Sequence, residues 1–199
     1  TSSSSAAQRV AVNGSVSTSG AGAASVGGGV LASITGCGAD GTIADASGFE
    51  DADGNLAIDT PGCMDWNGFT PVWSGTAPFQ TGTASNNGWT FVGATDAFNS
   101  TSDSIYAGGV KQDTVCPATV TGKANDKADL AAMYVATQWI GDQTYLMLAW
   151  ERQLDTTVQS DVFVSFELNQ GNVSCGTGSP FVERTVGDLL IEYNFQSGV

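Results

Sequence analysis

The chain has no histidine at all, and only six of its 199 residues are Lys or Arg, against 20 Asp and Glu. The formal charge is -14. Without histidine the commonest general base and the commonest transition-metal ligand are gone. Without a basic surface there is nothing to neutralise phosphates, so nucleic acid is excluded as a partner. Ser, Thr and Cys nucleophiles have no imidazole partner, which excludes triad chemistry. Ser–Lys chemistry would have to use Lys111, Lys123 or Lys127, and none of them stands in an S-x-x-K motif. Gly27-Gly28-Gly29 lacks the following Lys-Ser or Lys-Thr of a phosphate cradle. No apolar run approaches the ~20 residues of a membrane span, so membrane insertion is not expected. Thr1 and the four serines after it read as a mature or trimmed start.

What is present suits the outside of a cell. The chain is 41% hydrophobic, enough for a sizeable core, and its length fits one domain or one domain plus an arm. Charged residues are 13%, against roughly 25% in an average domain. Abundant Gly, Ser, Thr and Asn give a hydroxylated surface, so a secreted, extracellular or cell-surface location is expected. Cys37, Cys63, Cys116 and Cys175 form no CxxC pair, which argues against zinc-ribbon and thioredoxin chemistry. An even count in such a chain favours two disulfides. Three connectivities are open, and Cys37–Cys63 with Cys116–Cys175 is the preferred one.

Residues 1–48 are nearly all Ser, Gly, Ala, Val and Thr, with no aromatic residue. They read as an N-terminal arm. Within it, Val10, Val12 and Val16 recur at even positions over Arg9–Thr18, the period of a one-sided strand, and Val30–Thr35 is a second short candidate. Residues 49–199 read as a disulfide-stapled β domain. Strands are predicted at Trp89–Val92, Thr144–Glu151, Asp161–Leu168, Phe181–Arg184 and Asp188–Phe195. The nearly continuous apolar run Tyr145–Trp150 suggests a central strand covered on both faces. One short helix is predicted from Asp126 to about Val135, with Asn125 as its N-cap. The resulting expectation is an all-β, jelly-roll-like antiparallel β-sandwich with one short helix and an extended N-terminal arm.

Several segments of the domain, in order, carry a resemblance. They are Phe49-Glu50-Asp51-Ala52-Asp53-Gly54-Asn55-Leu56, Asp65-Trp66-Asn67, and Gly108-Gly109-Val110-Lys111-Gln112-Asp113-Thr114-Val115-Cys116-Pro117. Further along come Tyr145-Leu146-Met147-Leu148-Ala149-Trp150-Glu151-Arg152 and Gly187-Asp188-Leu189-Leu190-Ile191. Residues 49–199 thereby resemble an uncharacterised β-sandwich domain of secreted and cell-surface bacterial proteins, often actinobacterial. The resemblance implies a jelly-roll sandwich set among other surface modules, and no activity. The arm lies outside it.

Candidate sites remain. Asp51, Asp53, Asn55 and Asp59 alternate oxygen ligands around a Gly-containing turn and can wrap one face of a calcium ion; an acidic β-turn without metal needs the same residues. Asp96, Asp103, Asp113 and Asp129 form a second acidic set that loops can bring together. Glu151 and Glu167, on adjacent predicted strands, offer the paired carboxylates of a glycosidase, although Arg152 and other basic residues can hold them as ion pairs. Trp66 and Trp73 stand in a Gly/Pro-rich segment and can stack on sugar rings, or anchor the loop. The leading expectation is a non-enzymatic structural subunit of an extracellular assembly. In it, Val10, Val12 and Val16 add a strand to a neighbour's sheet, giving a homo-polymer or a contact with neighbouring surface modules. The alternative is a calcium-dependent module that binds an extracellular glycan.

Overall fold

The computed structural model describes Cys37 and residues 47–50, 55–107, 114–125, 128–152, 162–177 and 181–195. Val10, Val12, Val16, Asp51, Asp53, Asp113 and the second arm candidate, Val30–Thr35, lie outside them. Within these residues the fold is all-β, antiparallel and sandwich-like. A five-stranded sheet has the order β1 (Val72–Thr76), β2 (Phe79–Asn86), β3 (Trp89–Thr95), β6 (Leu130–Ile140), β7 (Gln143–Arg152). Two ribbons accompany it: β4 (Asp103–Tyr106) with β5 (Thr119–Gly122), and β8 (Val162–Leu168) with β9 (Leu189–Phe195).

Turn chemistry sets the registers. Asn87 and Gly88 join β2 to β3 with φ of 48° and 84°, the two positive values a type I′ hairpin requires. The β6–β7 connection is the two-residue turn Gly141-Asp142, with Gly141 at φ 64°.

The five-stranded sheet is covered on both faces by different means. On one face, Trp89, Phe91 and Ala136 pack with Phe49, Met64 and Phe69 from the segment before β1. Trp66 joins them edge-on to Phe49 at 5.1 Å and tilted on Tyr134 at 5.8 Å. A parallel bridge between Phe49 and Met64 and the Cys37–Cys63 disulfide hold this cover in place. On the other face, Trp150 meets Phe166 of β8 at 5.4 Å and Tyr193 of β9 at 5.8 Å. The second disulfide, Cys116–Cys175, joins the approach to β5 to the loop after β8. Both bridges match the preferred connectivity.

Three expectations are corrected. The predicted helix is absent: Leu130–Ile140 is an eleven-residue strand, paired on both sides by β3 and β7. Asn125 does open a turn, its carbonyl accepting from Ala128 N at 2.7 Å, but the turn stops there. From Met133 onward Tyr, Val, Thr, Trp and Ile favour a pleated strand, and two flanking ladders outweigh the helix preference of Leu, Ala and Met. Phe181–Arg184 contributes only an isolated bridge, Ser174 to Val182. The apolar run Tyr145–Trp150 lies in β7, an edge of its sheet and not a centre.

Candidate functional site

The acidic residues of the described chain act first as loop ties. Glu50 is buried, and its carboxylate accepts from the backbone N–H groups of Asp59, at 2.8 Å, and Thr60. Asp65 is fully buried at the start of the 3-10 turn Trp66–Gly68, accepting from Trp66 N at 2.6 Å. Asp103 accepts from Ala124 N at 2.9 Å, and Asp129 accepts from Asn99 N at 2.7 Å, where Asn99 has φ 58°. In a chain so poor in Lys and Arg, backbone N–H groups supply the donors that buried carboxylates need.

Of the calcium candidates, Asn55 and Asp59 are described. They turn towards each other: Asn55 Nδ2 donates to Asp59 Oδ2 at 3.0 Å, and Asn55 Oδ1 accepts from Ala57 N. Among the described residues no group of three or more Cys, Asp or Glu side chains comes together as a metal site. Asp96 and Asp103 of the second acidic set both line one open groove of about 440 Å³. Ser74, Thr81, Ser102 and Ser104 line the same groove, with Phe79 at its rim, 55% exposed.

The paired carboxylates diverge. Glu167 sits in an ion pair with Arg184, which donates from Nε at 3.0 Å and from a terminal nitrogen at 2.7 Å. Tyr106 Oη donates to Glu167 at 3.3 Å, Asn169 Nδ2 donates to it at 3.0 Å, and the guanidinium lies 5.6 Å over the Tyr106 ring. These bonds to Glu167 raise Arg184 above the ordinary guanidinium pKa. Glu151 instead accepts from Tyr134 Oη. Burial, reinforced by that carboxylate, pushes the Tyr134 phenol up. By strand alternation Glu151 shares a face of β7 with Tyr145 and Met147, opposite to Trp150, whereas Glu167 points away from the face of β8 that meets Trp150. The two carboxylates flank no common cleft.

No family model, curated protein or solved structure matches the chain. The functional reading therefore rests on the sequence and the geometry.

The two tryptophans proposed for glycan stacking are both engaged. Trp66 belongs to the aromatic core. Trp73 is 36% exposed, on edge strand β1, and lies directly across from Gly82 and then Gly93. A Cβ on Gly82 would stand 2.5 Å from its ring, so the indole rests on the bare backbone of the neighbouring strand. The openly exposed tryptophan is Trp139, at 68%, near the β6–β7 turn. Nothing in the sequence around Trp139 marks the face on which it stands.

The edges are the remaining feature. Among the described residues the large sheet ends on β1 and β7, and β8–β9 is two strands wide. Leu189, Leu190, Ile191 and Tyr193 of β9 are 53%, 46%, 39% and 52% exposed. The sequence marked β9 as a strong strand, but gave no sign that it stands at an edge.

Proposed function

We propose that this chain is a non-enzymatic structural subunit of an extracellular or cell-surface assembly, in which the N-terminal arm augments a sheet edge of a neighbouring copy. The observation carrying this reading is the set of open strand edges. Among the described residues no strand lies beyond β1, β7 or β9, and β9 presents apolar side chains to solvent. Exposed apolar edges are templates for another chain, and proteins that must stay monomeric blunt them with Lys, Pro or bulges. The arm supplies a matching one-sided pattern at Val10, Val12 and Val16. Repeating one such contact head to tail gives an open filament. Two disulfides agree with an oxidising compartment, and no described helix is long and apolar enough to cross a membrane. The resemblance to bacterial surface sandwiches points the same way.

Electron microscopy and sedimentation of the full chain, with and without Val10→Asp, Val12→Asp and Val16→Asp combined, test this. Filaments or long oligomers that the triple variant abolishes are expected. A wild-type protein that stays monomeric overturns the reading.

A second reading rests on the groove lined by Ser74, Thr81, Asp96 and Asp103 with Phe79 at its rim. Hydroxyls, carboxylates and a half-open ring can hold a sugar, and calcium bound near Asn55 and Asp59 would make this chain a calcium-dependent adhesion module. Retention on a polysaccharide panel, lost on chelation and with Phe79→Ala, would favour it over the structural subunit.

A further inference from the structure

We propose that the acceptor edge is β9, and that it takes the Gln8–Thr18 segment of a second copy of the chain. The proposal rests on the arm-augmentation reading above, and it sets β9 against β1 and β7, the two edges of the large sheet.

β1 is the weakest of the three. It is five residues long, its Trp73 is folded over β2, and Gly75 interrupts it at φ 104°. β7 is longer, but of its apolar side chains only Leu146, at 37%, is openly exposed. Tyr145 and Met147 pack on the core of one face and Trp150 on the core of the other. β9 differs from both. It pairs with β8 in register over all seven residues, without a bulge, so its far edge is straight. It contains no Lys, no Pro and no Gly, and Glu192 is its single charge. The strand itself therefore carries no Lys, Pro or bulge to blunt its edge.

Its side chains are also incompletely covered on the side that should be interior. Strand alternation puts Leu189, Ile191 and Tyr193 on the face of Val164 and Phe166, which are buried at 2% and 6% exposure. Their neighbours on β9 nonetheless remain 39% to 53% exposed. Among the described residues, the apolar layer thus continues one strand further than the segments that cover it. A strand laid beside β9 with apolar residues on that same face would complete the layer.

Gln8–Thr18 has that form. In an extended strand, Val10, Val12, Gly14 and Val16 would share one face, and Arg9, Ala11, Asn13, Ser15 and Ser17 the other. The apolar set would lie on the side of Ile191 and the polar set on the side of Glu192. Arg9 is the only charged residue among the first 36, in a chain of net charge -14. The donor segment therefore adds no negative charge beside Glu192, although the net charge of the two copies still opposes their approach.

The test uses full-length protein. Leu190→Lys with Ile191→Lys is compared with the triple valine variant by sedimentation, with near-ultraviolet dichroism as the check on folding. Both variants are expected to lower the multimer fraction at least tenfold while the domain stays folded. Should the valine variant dissolve the multimers and the folded lysine variant leave them intact, β9 is not the acceptor, although augmentation by the arm stands. Absence of multimers in the wild type sinks both ideas. As a second measurement, independent of whether the lysine variant folds, a photo-reactive phenylalanine replaces Leu190 in isotope-labelled chains mixed as monomers with unlabelled ones. Adducts to residues 8–18 of an unlabelled copy support the assignment. Adducts to the labelled chain's own arm, to another copy's β9, or to neither overturn it.

Discussion

Arg184 holds together three segments that are distant in sequence. Its guanidinium gives two parallel hydrogen bonds to Glu167 of β8 and lies over Tyr106 of β4, and its backbone N–H donates to Val115 O at 2.8 Å. The Glu167 side chain is only 6% exposed, so removing the guanidinium leaves a charge that water can scarcely reach. Tyr106 and Asn169 would still donate to it, which limits the loss. Arg184→Ala is expected to cost about 2–3 kcal/mol in urea denaturation. Arg184→Lys should recover less than half of that, because an ammonium cannot reproduce the planar pair of donors. Asp188 gives the pH counterpart. Its carboxylate accepts from Gln170 N at 2.8 Å, Thr185 N at 2.7 Å, Thr185 Oγ1 and Asn169 Nδ2, and these bonds hold its pKa far below the usual carboxylate range, the Gln170 bond most strongly. The folded state therefore binds this proton less readily than the unfolded chain, whose Asp titrates near 3.9. The stabilisation is fully present above about pH 5 and drains away as pH falls through and below 4. Thermal melts of wild type and Asp188→Asn should differ most at neutral pH and converge towards pH 2; a gap that is constant across this range would remove the charge from the explanation.

Among the elements, β1 owes its position to two glycines. Trp73 pairs with Gly82, which pairs with Gly93; the indole occupies the space a side chain at Gly82 would take and, with the Phe91 ring, the space beside Gly93. Gly82→Ala places a Cβ 2.5 Å from the ring and must tip the indole off the sheet. The expected result is a red-shifted tryptophan emission and a loss of about 1–3 kcal/mol; an unchanged spectrum would place Trp73 elsewhere. The sequence is silent on this arrangement, because glycine in a strand signals only a weak or special position. The same limit explains which elements were legible. β3, β7, β8 and β9 are dense in β-branched and aromatic residues with turn signals beside them, and their period is local. β1 and β2 are Gly, Ser and Thr-rich, and they are strands because Trp73 and the β3 ladder make them so. β6 begins with Leu130-Ala131-Ala132-Met133, a local helix preference that only its two partner strands overrule. Candidate sites followed the same rule. The disulfides were readable from count and compartment. That Glu50 ties a loop, that Trp66 is core, and that Glu151 and Glu167 point apart depend on which face of which strand each occupies.

At the scale of the whole molecule, two covalent ties and one long-range force dominate. Cys116–Cys175 spans 59 residues and Cys37–Cys63 spans 26. On the loop-entropy model their loss costs about 4 and about 3.5 kcal/mol. Replacing each pair by serine should therefore lower the denaturation midpoint in both cases, slightly more for the longer loop. The long-range force is the charge of -14, which opposes any contact between copies. Augmentation at β9 is made of main-chain hydrogen bonds and valine contacts, both short-ranged and nearly indifferent to salt. The repulsion is not: its reach falls from about 30 Å at 0.01 M salt to about 8 Å at 0.15 M. Assembly should accordingly strengthen as salt rises over that range, with light scattering at fixed protein concentration increasing severalfold and the gain disappearing in the triple valine variant. A contact held chiefly by Arg9 and Glu192 as an ion pair would do the reverse and weaken with salt. The sign of the salt dependence thus separates a strand that docks through its backbone and apolar face from one that docks through its single charge.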